Sequence, residues 1–198
     1  MLKQNFTALL REIRACQICA AHLPHKPRPV LRAKPSARLV IAGQAPGTRV
    51  HASGKPFTDP SGDRLRDWMG VDSETFYDDT RIAIVPMGFC FPGLDVKGGD
   101  LPPRRECAPA WREKVFAGLK AVELTLLVGG YSQAWHLGDE TKDTLTDTVK
   151  AWRSYGPVHI PLPHPSWRNN RWLKDNPWFE AELLPVMRAA IRGAIDRK

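Results

Sequence analysis

The chain has 198 residues, of which 42% are hydrophobic and 25% charged, a balance typical of a globular protein and not of a disordered one. No apolar run approaches the roughly 18 residues that a membrane-spanning helix needs, and the N-terminus lacks the apolar core of a secretory signal. We therefore expect a cytoplasmic monomer with no membrane contact. The net charge of +8 indicates a polyanionic partner, with nucleic acid favoured over a membrane surface.

The first predicted element is an amphipathic helix over residues 5–15, because Phe6, Leu9, Leu10 and Ile13 recur at helical spacing. The segment HLPHKPRPVLRAKPSAR follows it and is rich in proline and basic residues. This composition predicts an extended connector on the surface of the protein.

Four short apolar runs that end at glycine or proline come next, with helical patterns between them. The runs are LVIAG, IAIVPMGF, LTLLVGG and VHIPLPHPS, and the helical segments are SGDRLRDWMG, RRECAPAWREKVFAGLK, DTLTDTVKAWRSY and residues 177–196. Because the runs are continuously apolar, they predict strands that are buried on both faces. Alternating strands and helices predict an α/β fold with three layers, α/β/α, around a central, mostly parallel four-stranded sheet. No repeat or boundary divides the chain, so residues 1–198 are predicted to form one domain.

Two short motifs follow the first and fourth predicted strands. They are GQAPG, residues 43–47, and HPS, residues 164–166. Ligands of open α/β sheets bind beyond the carboxyl ends of the strands, so both turns are expected at one crevice. Taken alone, GQAPG also fits an ordinary strand-to-loop turn, and it lacks two glycines of the dinucleotide-binding GxGxxG pattern. Between the motifs, Phe57 lies in the breaker-rich segment GKPFTDPSG.

Together, GQAPG, GKPFTDPSG and LPHPS resemble, in order and spacing, the motifs of the uracil-DNA glycosylase superfamily. The nearest match is its iron–sulfur type (family 4), whose first motif usually reads GEAPG. The resemblance runs from about Cys16 to the final predicted helix. It implies a four-stranded parallel sheet between helices, and cleavage of a base from DNA to leave an abasic site. The expected partner is DNA that contains uracil or abasic sites.

The resemblance implies roles for one aromatic residue and one histidine. A base inside a duplex must be flipped into a pocket before it can be cleaved, and Phe57 is expected to stack on that base. Breaking the glycosidic bond leaves negative charge on the uracil ring, and His164 is expected to donate a hydrogen bond to its carbonyl oxygen. The alternatives are a core aromatic for Phe57 and a structural or surface histidine for His164.

The first motif departs from the family pattern. Gln44 replaces the acidic residue of GEAPG, and His51 stands where another acidic residue is often found. We expect Gln44 to orient the attacking water and neutral His51 to act as its base, with Asp59 as the alternative group. The catalytic candidates are therefore His164, Gln44 and His51. The substrate-binding candidates are Gln44, Ala45, Phe57, Ser166 and Arg168, where Arg168 contacts phosphate or, like Trp167, fills the gap left by the flipped base.

The sequence leaves two alternatives for the preferred base and two for the activity. Pro86 aligns with the family asparagine that reads the uracil edge, and it has no donor there, so the expected substrate is uracil or a related deaminated base. The KRRIH insertion of covalently trapping relatives is not evident in LDVKGGDLPPRRE. Phe57 and His164 favour a DNA glycosylase. The missing carboxylate favours a non-catalytic relative that binds damaged or abasic DNA.

The four cysteines suggest a metal site. Cys16 and Cys19 form a C-x2-C pair, while Cys90 follows the second predicted strand and Cys107 lies on the next predicted helix. Disulfides are not expected in a cytoplasmic protein. In the family that the chain resembles, cysteines at these places hold a [4Fe–4S] cluster, which we expect here. Zinc and free thiols remain the alternatives.

Overall fold

The structure is a computed structural model that describes residues 5–196, so the two ends of the predicted domain, residues 1–4 and 197–198, lie outside the described residues. Its centre is a four-stranded sheet in the order β2-β1-β3-β4, and every pairing is parallel. The strands are β1 (Leu39–Ala42), β2 (Ile82–Ile84), β3 (Leu124–Val128) and β4 (His159–Leu162). The predicted α/β fold with a parallel four-stranded sheet is confirmed.

Both faces of the sheet are buried, which explains the continuous apolar runs. In β1, Leu39 and Ile41 belong to one hydrophobic cluster, whereas Val40 and Ala42 belong to another on the opposite face. All four of these side chains are fully buried. Because successive side chains of a strand point to opposite faces, only an apolar residue at every position satisfies both clusters.

Helices cover both faces of the sheet. The longer predicted helices are present with shifted ends, and several short ones that the sequence patterns did not predict lie between them. The helices are α1 (Phe6–Arg14), α2 (Thr48–Ser53), α3 (Pro60–Met69), α4 (Ser73–Tyr77), α5 (Cys107–Gly118), α6 (Gly130–Leu137), α7 (Leu145–Lys150), α8 (Asn170–Asp175) and α9 (Leu184–Ile195). Short 3-10 turns span Ala20–His22, Gly138–Glu140, Trp152–Ser154 and Trp167–Asn169, and a π-helical turn over Phe179–Leu183 leads into α9.

Part of the proline-rich connector is buried, which corrects the expectation of a surface segment. Val30 and Leu31 are only 4% and 6% exposed. Arg32 pairs with Ile84 in an antiparallel bridge through both backbone hydrogen bonds. The connector thus covers the free edge of β2, because apolar residues between its prolines pack onto the sheet.

The chain order of the strands creates a crevice beside β1. The chain leaves β1 for β2 on one side and later returns to β3 on the other, so the loops after β1 and β3 diverge. Such a point at the carboxyl ends of parallel strands is where open α/β sheets bind ligands. Among residues 5–196, no helix is both long enough and apolar enough to cross a bilayer.

Candidate active site

A cleft of about 520 Å³, including its open mouth, lies at the carboxyl ends of the strands. It collects residues from the loops after β1, β2 and β4, from the segment before α3, and from the buried part of the connector. The predicted site residues Gln44, Ala45, Phe57 and His164 all line it. The other lining residues are Val30, Gly43, Pro46, Val50, Pro56, Asp59, Ser61, Ile84, Pro86 and Asp100.

Phe57 is held in an unusual backbone conformation. Its φ of 55° lies in the left-handed region, where a bulky residue is strained. Its carbonyl oxygen accepts a hydrogen bond from Arg66 Nη1 at 3.2 Å, and the Tyr77 hydroxyl shares its one proton between this oxygen, at 3.0 Å, and the Pro56 carbonyl, at 2.8 Å. A Cβ on Gly62 would lie 1.9 Å from the same oxygen, so only glycine permits this approach. Several contacts therefore fix the Phe57 backbone at the cost of local strain.

The ring of Phe57 reaches back to the first motif. A Cβ on Gly43 would lie 3.5 Å from the ring atom Cζ, so the ring lies directly over the GQAPG turn. The ring edge also packs against Phe76, with ring centroids 5.9 Å apart and planes at 89°. Phe57 thus packs against the core and also faces the cleft. Its surroundings fit both a core aromatic residue and a stacking residue, the two roles that the sequence suggested.

His164 enters the cleft from the loop after β4. Its carbonyl oxygen accepts a hydrogen bond of 2.7 Å from Asn169 Nδ2, and Arg64 Nη1 donates to the carbonyl of Ser166 at 3.0 Å. Burial lowers the pKa of His164, although the negative charge of Asp59 acts in the opposite direction. The imidazole is therefore neutral near pH 7, and a neutral imidazole still has one N–H to donate.

The first motif is joined by its backbone to the segment after β2. The carbonyls of Gly43 and Gln44 accept hydrogen bonds from the N–H groups of Met87 and Gly88, at 2.8 and 2.9 Å. Pro86 lines the cleft without an N–H, and its carbonyl accepts a bond from Arg112 Nη1 at 2.9 Å. Pro86 therefore offers the cleft no donor, whereas the Gln44 side-chain amide offers both a donor and an acceptor.

Two carboxylates line the cleft, and they differ in their other contacts. Asp59 is the N-cap of α3, where its Oδ1 accepts a bond of 3.1 Å from the N–H of Gly62. Asp100 comes from the loop after β2, and its Oδ2 would lie 3.2 Å from a Cβ on Gly47. Asp100 is an exposed residue, but the partial burial of its carboxyl group raises its pKa.

His51 does not line the cleft, which separates it from the catalytic role that the sequence suggested. Its ring packs against that of His25, with centroids 3.9 Å apart, and lies 5.9 Å from the ring of Phe91. Its carbonyl accepts a hydrogen bond from Arg28 Nη1. Val50, the preceding residue of α2, does line the cleft, and because successive side chains of a helix point in different directions, His51 packs against His25 instead.

Ser166 and Arg168 do not line the cleft, although the charge of Arg168 acts on the cleft-lining Asp100. The Ser166 hydroxyl accepts a bond from the backbone N–H of Arg168 at 3.3 Å and so caps the 3-10 turn that begins at Trp167. Trp167 is 70% exposed, and Arg168 lies 5.8 Å from the centre of its ring. An exposed aromatic residue and a cation thus stand beside the cleft mouth.

The four cysteine thiols occupy one region on the side of α1 and α5. Cys16 is partly buried and the other three are buried. Burial, together with the charges of Cys19, Cys90 and Cys16, raises the pKa of Cys107 to about 12, although the hydrogen bond from the Phe89 backbone opposes this change. The influence of the other three thiols on Cys107 indicates that the four lie in one neighbourhood.

Two N–H groups point at sulfur atoms in this region. The backbone N–H of Phe89 donates to Cys107 Sγ and the indole N–H of Trp111 donates to Cys16 Sγ, each at 3.3 Å. Within residues 5–196, no three His, Cys, Asp or Glu side chains are placed to hold a single metal ion. The four thiols are the residues that would hold a [4Fe–4S] cluster, because thiolates are the ligands of such clusters.

Comparison with known proteins assigns the family. The model of the uracil DNA glycosylase superfamily matches residues 32–188, which is most of the chain. The protein therefore belongs to the uracil DNA glycosylase superfamily, and this membership implies a DNA substrate. Its fold is also similar to the solution NMR structure of a "putative Uracil DNA glycosylase" from Methanosarcina acetivorans, with a TM-score of 0.47 and 15% identity over 80% of this chain and 93% of that chain. That likeness is too distant to add to the family assignment.

Sequence reasoning missed Asp100 and the two residues that hold Phe57, Tyr77 and Arg66. The segment LDVKGGDLPPRRE lacks an arginine-rich motif, and neither of its two aspartates, Asp95 and Asp100, stands in a motif that predicts a role. A usable signal was present, because this loop follows β2 and so leaves the sheet at the same edge as the other motifs. Nothing in the sequence pattern points to Tyr77 or Arg66.

Proposed function

We propose that the protein is a DNA glycosylase that flips out uracil, or a related deaminated base, and hydrolyses its N-glycosidic bond to leave an abasic site. The observation that carries the proposal is the meeting of Phe57 and His164 in one cleft of a superfamily member. Phe57 offers a ring for stacking, and His164 offers a neutral N–H donor. The finer assignment to the iron–sulfur type (family 4), with a divergent first motif, is part of the same proposal.

The proposed reaction begins with cleavage of the bond between C1′ of the sugar and N1 of the base. The bonding electrons stay on the base, and the His164 N–H donates to the carbonyl oxygen where negative charge accumulates. The Gln44 amide hydrogen-bonds the base edge in place of the group that Pro86 cannot supply. Arg168 and Trp167 contact the DNA at the rim, where a cation pairs with phosphate and an aromatic residue fills the vacated space.

The proposal includes a [4Fe–4S] cluster held by Cys16, Cys19, Cys90 and Cys107. Four neighbouring thiols with two N–H···S bonds support it, since thiolates ligate such clusters and hydrogen bonds to sulfur tune them. The cluster takes no part in base release. It ties the segment after α1 to the segment between β2 and α5.

The test is release of uracil by the purified protein without added nucleotide or divalent metal. Oligonucleotides with uracil opposite guanine and in a single strand are incubated with stoichiometric protein, and alkali then reveals abasic sites as strand breaks. We expect breaks at the uracil position. Their absence on both substrates would contradict the glycosylase proposal.

The alternative is a relative that binds damaged or abasic DNA without cutting the glycosidic bond. The observation that favours it is the first motif, where neither Gln44 nor Ala45 is a carboxylate. Binding of abasic oligonucleotides measured beside the release assay separates the two functions. Tight binding without strand breaks would support the alternative.

A further inference from the structure

We propose that Asp100 is the catalytic carboxylate that accepts a proton from the attacking water. This inference rests on the proposed glycosylase function, and it assigns a role that the first motif of this chain cannot fill. An amide such as that of Gln44 orients a water molecule but does not take its proton. A general base must be a group that binds the proton, within hydrogen-bond reach of the water.

The geometry of the cleft selects Asp100. Its carboxylate lies over Gly47, the last residue of the GQAPG motif, so it borders the turn that also carries Gln44. Within the described residues, the Asp100 carboxylate accepts no hydrogen bond, and its oxygens remain available to a ligand. Asp59 is the other carboxylate in the cleft, but one of its oxygens caps α3.

A short hairpin holds Asp100 in place. The N–H of Leu101 donates to the carbonyl of Gly93 at 3.0 Å, and the N–H of Asp95 donates to the carbonyl of Gly99 at 2.7 Å. The Asp95 carboxylate closes the turn by accepting bonds of 2.8 Å from the N–H groups of Lys97 and Gly99. These bonds fix the backbone on both sides of Asp100, as a precisely placed base requires.

The step balances as a hydrolysis. After the C1′–N1 bond breaks, its electron pair resides on the departing base and C1′ is left electron-poor. The water oxygen forms a new bond to C1′ while one of its protons moves to the Asp100 carboxylate. That proton then passes to the base anion or to solvent, which restores the carboxylate and yields an abasic sugar with a hydroxyl at C1′.

The charges around Asp100 predict how the rate depends on pH. Burial raises its pKa, the negative charges of Asp59 and Asp95 raise it further, and the Arg168 cation opposes them. His164 lines the same cleft and has a lowered pKa, so it stays neutral in this range. Because only the carboxylate form accepts a proton, the rate falls as the pH drops through the raised pKa of Asp100.

The experiment compares single-turnover release of uracil by the parent and by Asp100→Asn, Asp100→Glu, Asp59→Asn and Asp143→Asn across pH. Asparagine has nearly the same size as aspartate at position 100, and at position 59 it can still cap α3. Asp143 is the control because it is exposed and does not line the cleft. We expect Asp100→Asn to release uracil at least about 10²-fold more slowly than the parent. Its pH–rate profile should also lose the acid limb, which is the fall in rate at low pH. Asp100→Glu should retain that limb, and Asp143→Asn should match the parent.

Thermal unfolding and binding of abasic DNA by Asp100→Asn separate chemistry from folding, since both should equal those of the parent. A parental rate and profile for Asp100→Asn, or a loss of the acid limb in Asp59→Asn alone, would overturn the inference and leave the glycosylase function standing. A parent that releases no uracil would overturn the proposed function and this inference with it. The inference would also be overturned if Asp100→Asn is slow only because it unfolds and Asp100→Glu shows no acid limb.

Discussion

At the scale of single residues, the strained backbone of Phe57 is the feature with the clearest functional consequence. A bulky residue at φ 55° persists only when its surroundings hold it there. Here the Tyr77 hydroxyl and Arg66 hold its carbonyl, and Gly62 leaves room for it. Burial raises the pKa of Tyr77, so its hydroxyl stays protonated and keeps donating.

Replacement of Phe57 tests its stacking role. We expect Phe57→Ala to weaken the preference for uracil-containing over undamaged DNA, because one stacked base is worth about 1–3 kcal/mol. Tyr77→Phe should weaken the same preference less, since it loosens the Phe57 backbone and leaves the ring. The measurement is competitive binding with the two DNAs, with Tyr131→Phe as the control because Tyr131 is 46% exposed and does not line the cleft. Equal preferences in all variants would remove Phe57 from base recognition.

The sequence was sufficient to predict that Phe57 and His164 lie at one crevice, but it did not predict that Asp100 lies there too. The first two lie in short motifs whose order is recognisable without a structure. Asp100 belongs to no such motif, and only the folded loop after β2 brings it to Gly47, more than fifty residues away in sequence. His51 shows the opposite case, since adjacency to the motif in sequence does not bring its side chain to the cleft.

At the scale of elements, a buried network joins α5 and α6 to the end of β2. Arg112 of α5 is 1% exposed and donates to the carbonyls of Val85 and Pro86, and its Nη2 lies 2.5 Å from His136 Nε2. The pKa of His136 falls to about 3, first through burial and then through the charges of Arg112 and His159. This network supports the part of the cleft that Pro86 lines.

The network predicts how stability depends on pH. The unfolded chain protonates His136 near its ordinary pKa of about 6.5, whereas the folded protein does not until about 3. The free energy of unfolding should therefore fall as the pH decreases from about 6.5 toward 3, by at most about 1.4 kcal/mol per pH unit from this group. His136→Gln should make that decline less steep, and the exposed His22→Gln should not. Urea unfolding at several pH values measures it, and identical slopes would contradict the account.

The elements themselves were predictable to different degrees. Continuous apolar runs predicted all four strands because both faces of the sheet are buried. The short helices α2, α4 and α8 have five or six residues, too few for a helical period to appear in the sequence. The buried connector was missed because its prolines dominate the pattern, although Val30 and Leu31 make the contacts.

At the scale of the whole molecule, the proposed [4Fe–4S] cluster would connect segments that are distant in sequence. Protein prepared without oxygen should be brown, with broad visible absorption from thiolate-to-iron charge transfer and about four iron atoms per chain. Cys19→Ser should lose the colour and unfold at a lower temperature, because the ligand that ties down the segment after α1 is gone. Elemental analysis and thermal unfolding are the measurements. A colourless parent without iron would leave zinc or free thiols as the alternatives.

The central claim is that one cleft, at the carboxyl ends of the strands, breaks the glycosidic bond of uracil in DNA with His164 as the donor to the departing base. The most direct test is the single-turnover rate of uracil release by the parent, His164→Ala and the control His22→Ala, whose exposed histidine does not line the cleft. The account predicts that His164→Ala is slower by about 10²-fold or more, the usual effect of losing one such donor, and that His22→Ala equals the parent. Equal rates for His164→Ala and the parent would contradict it.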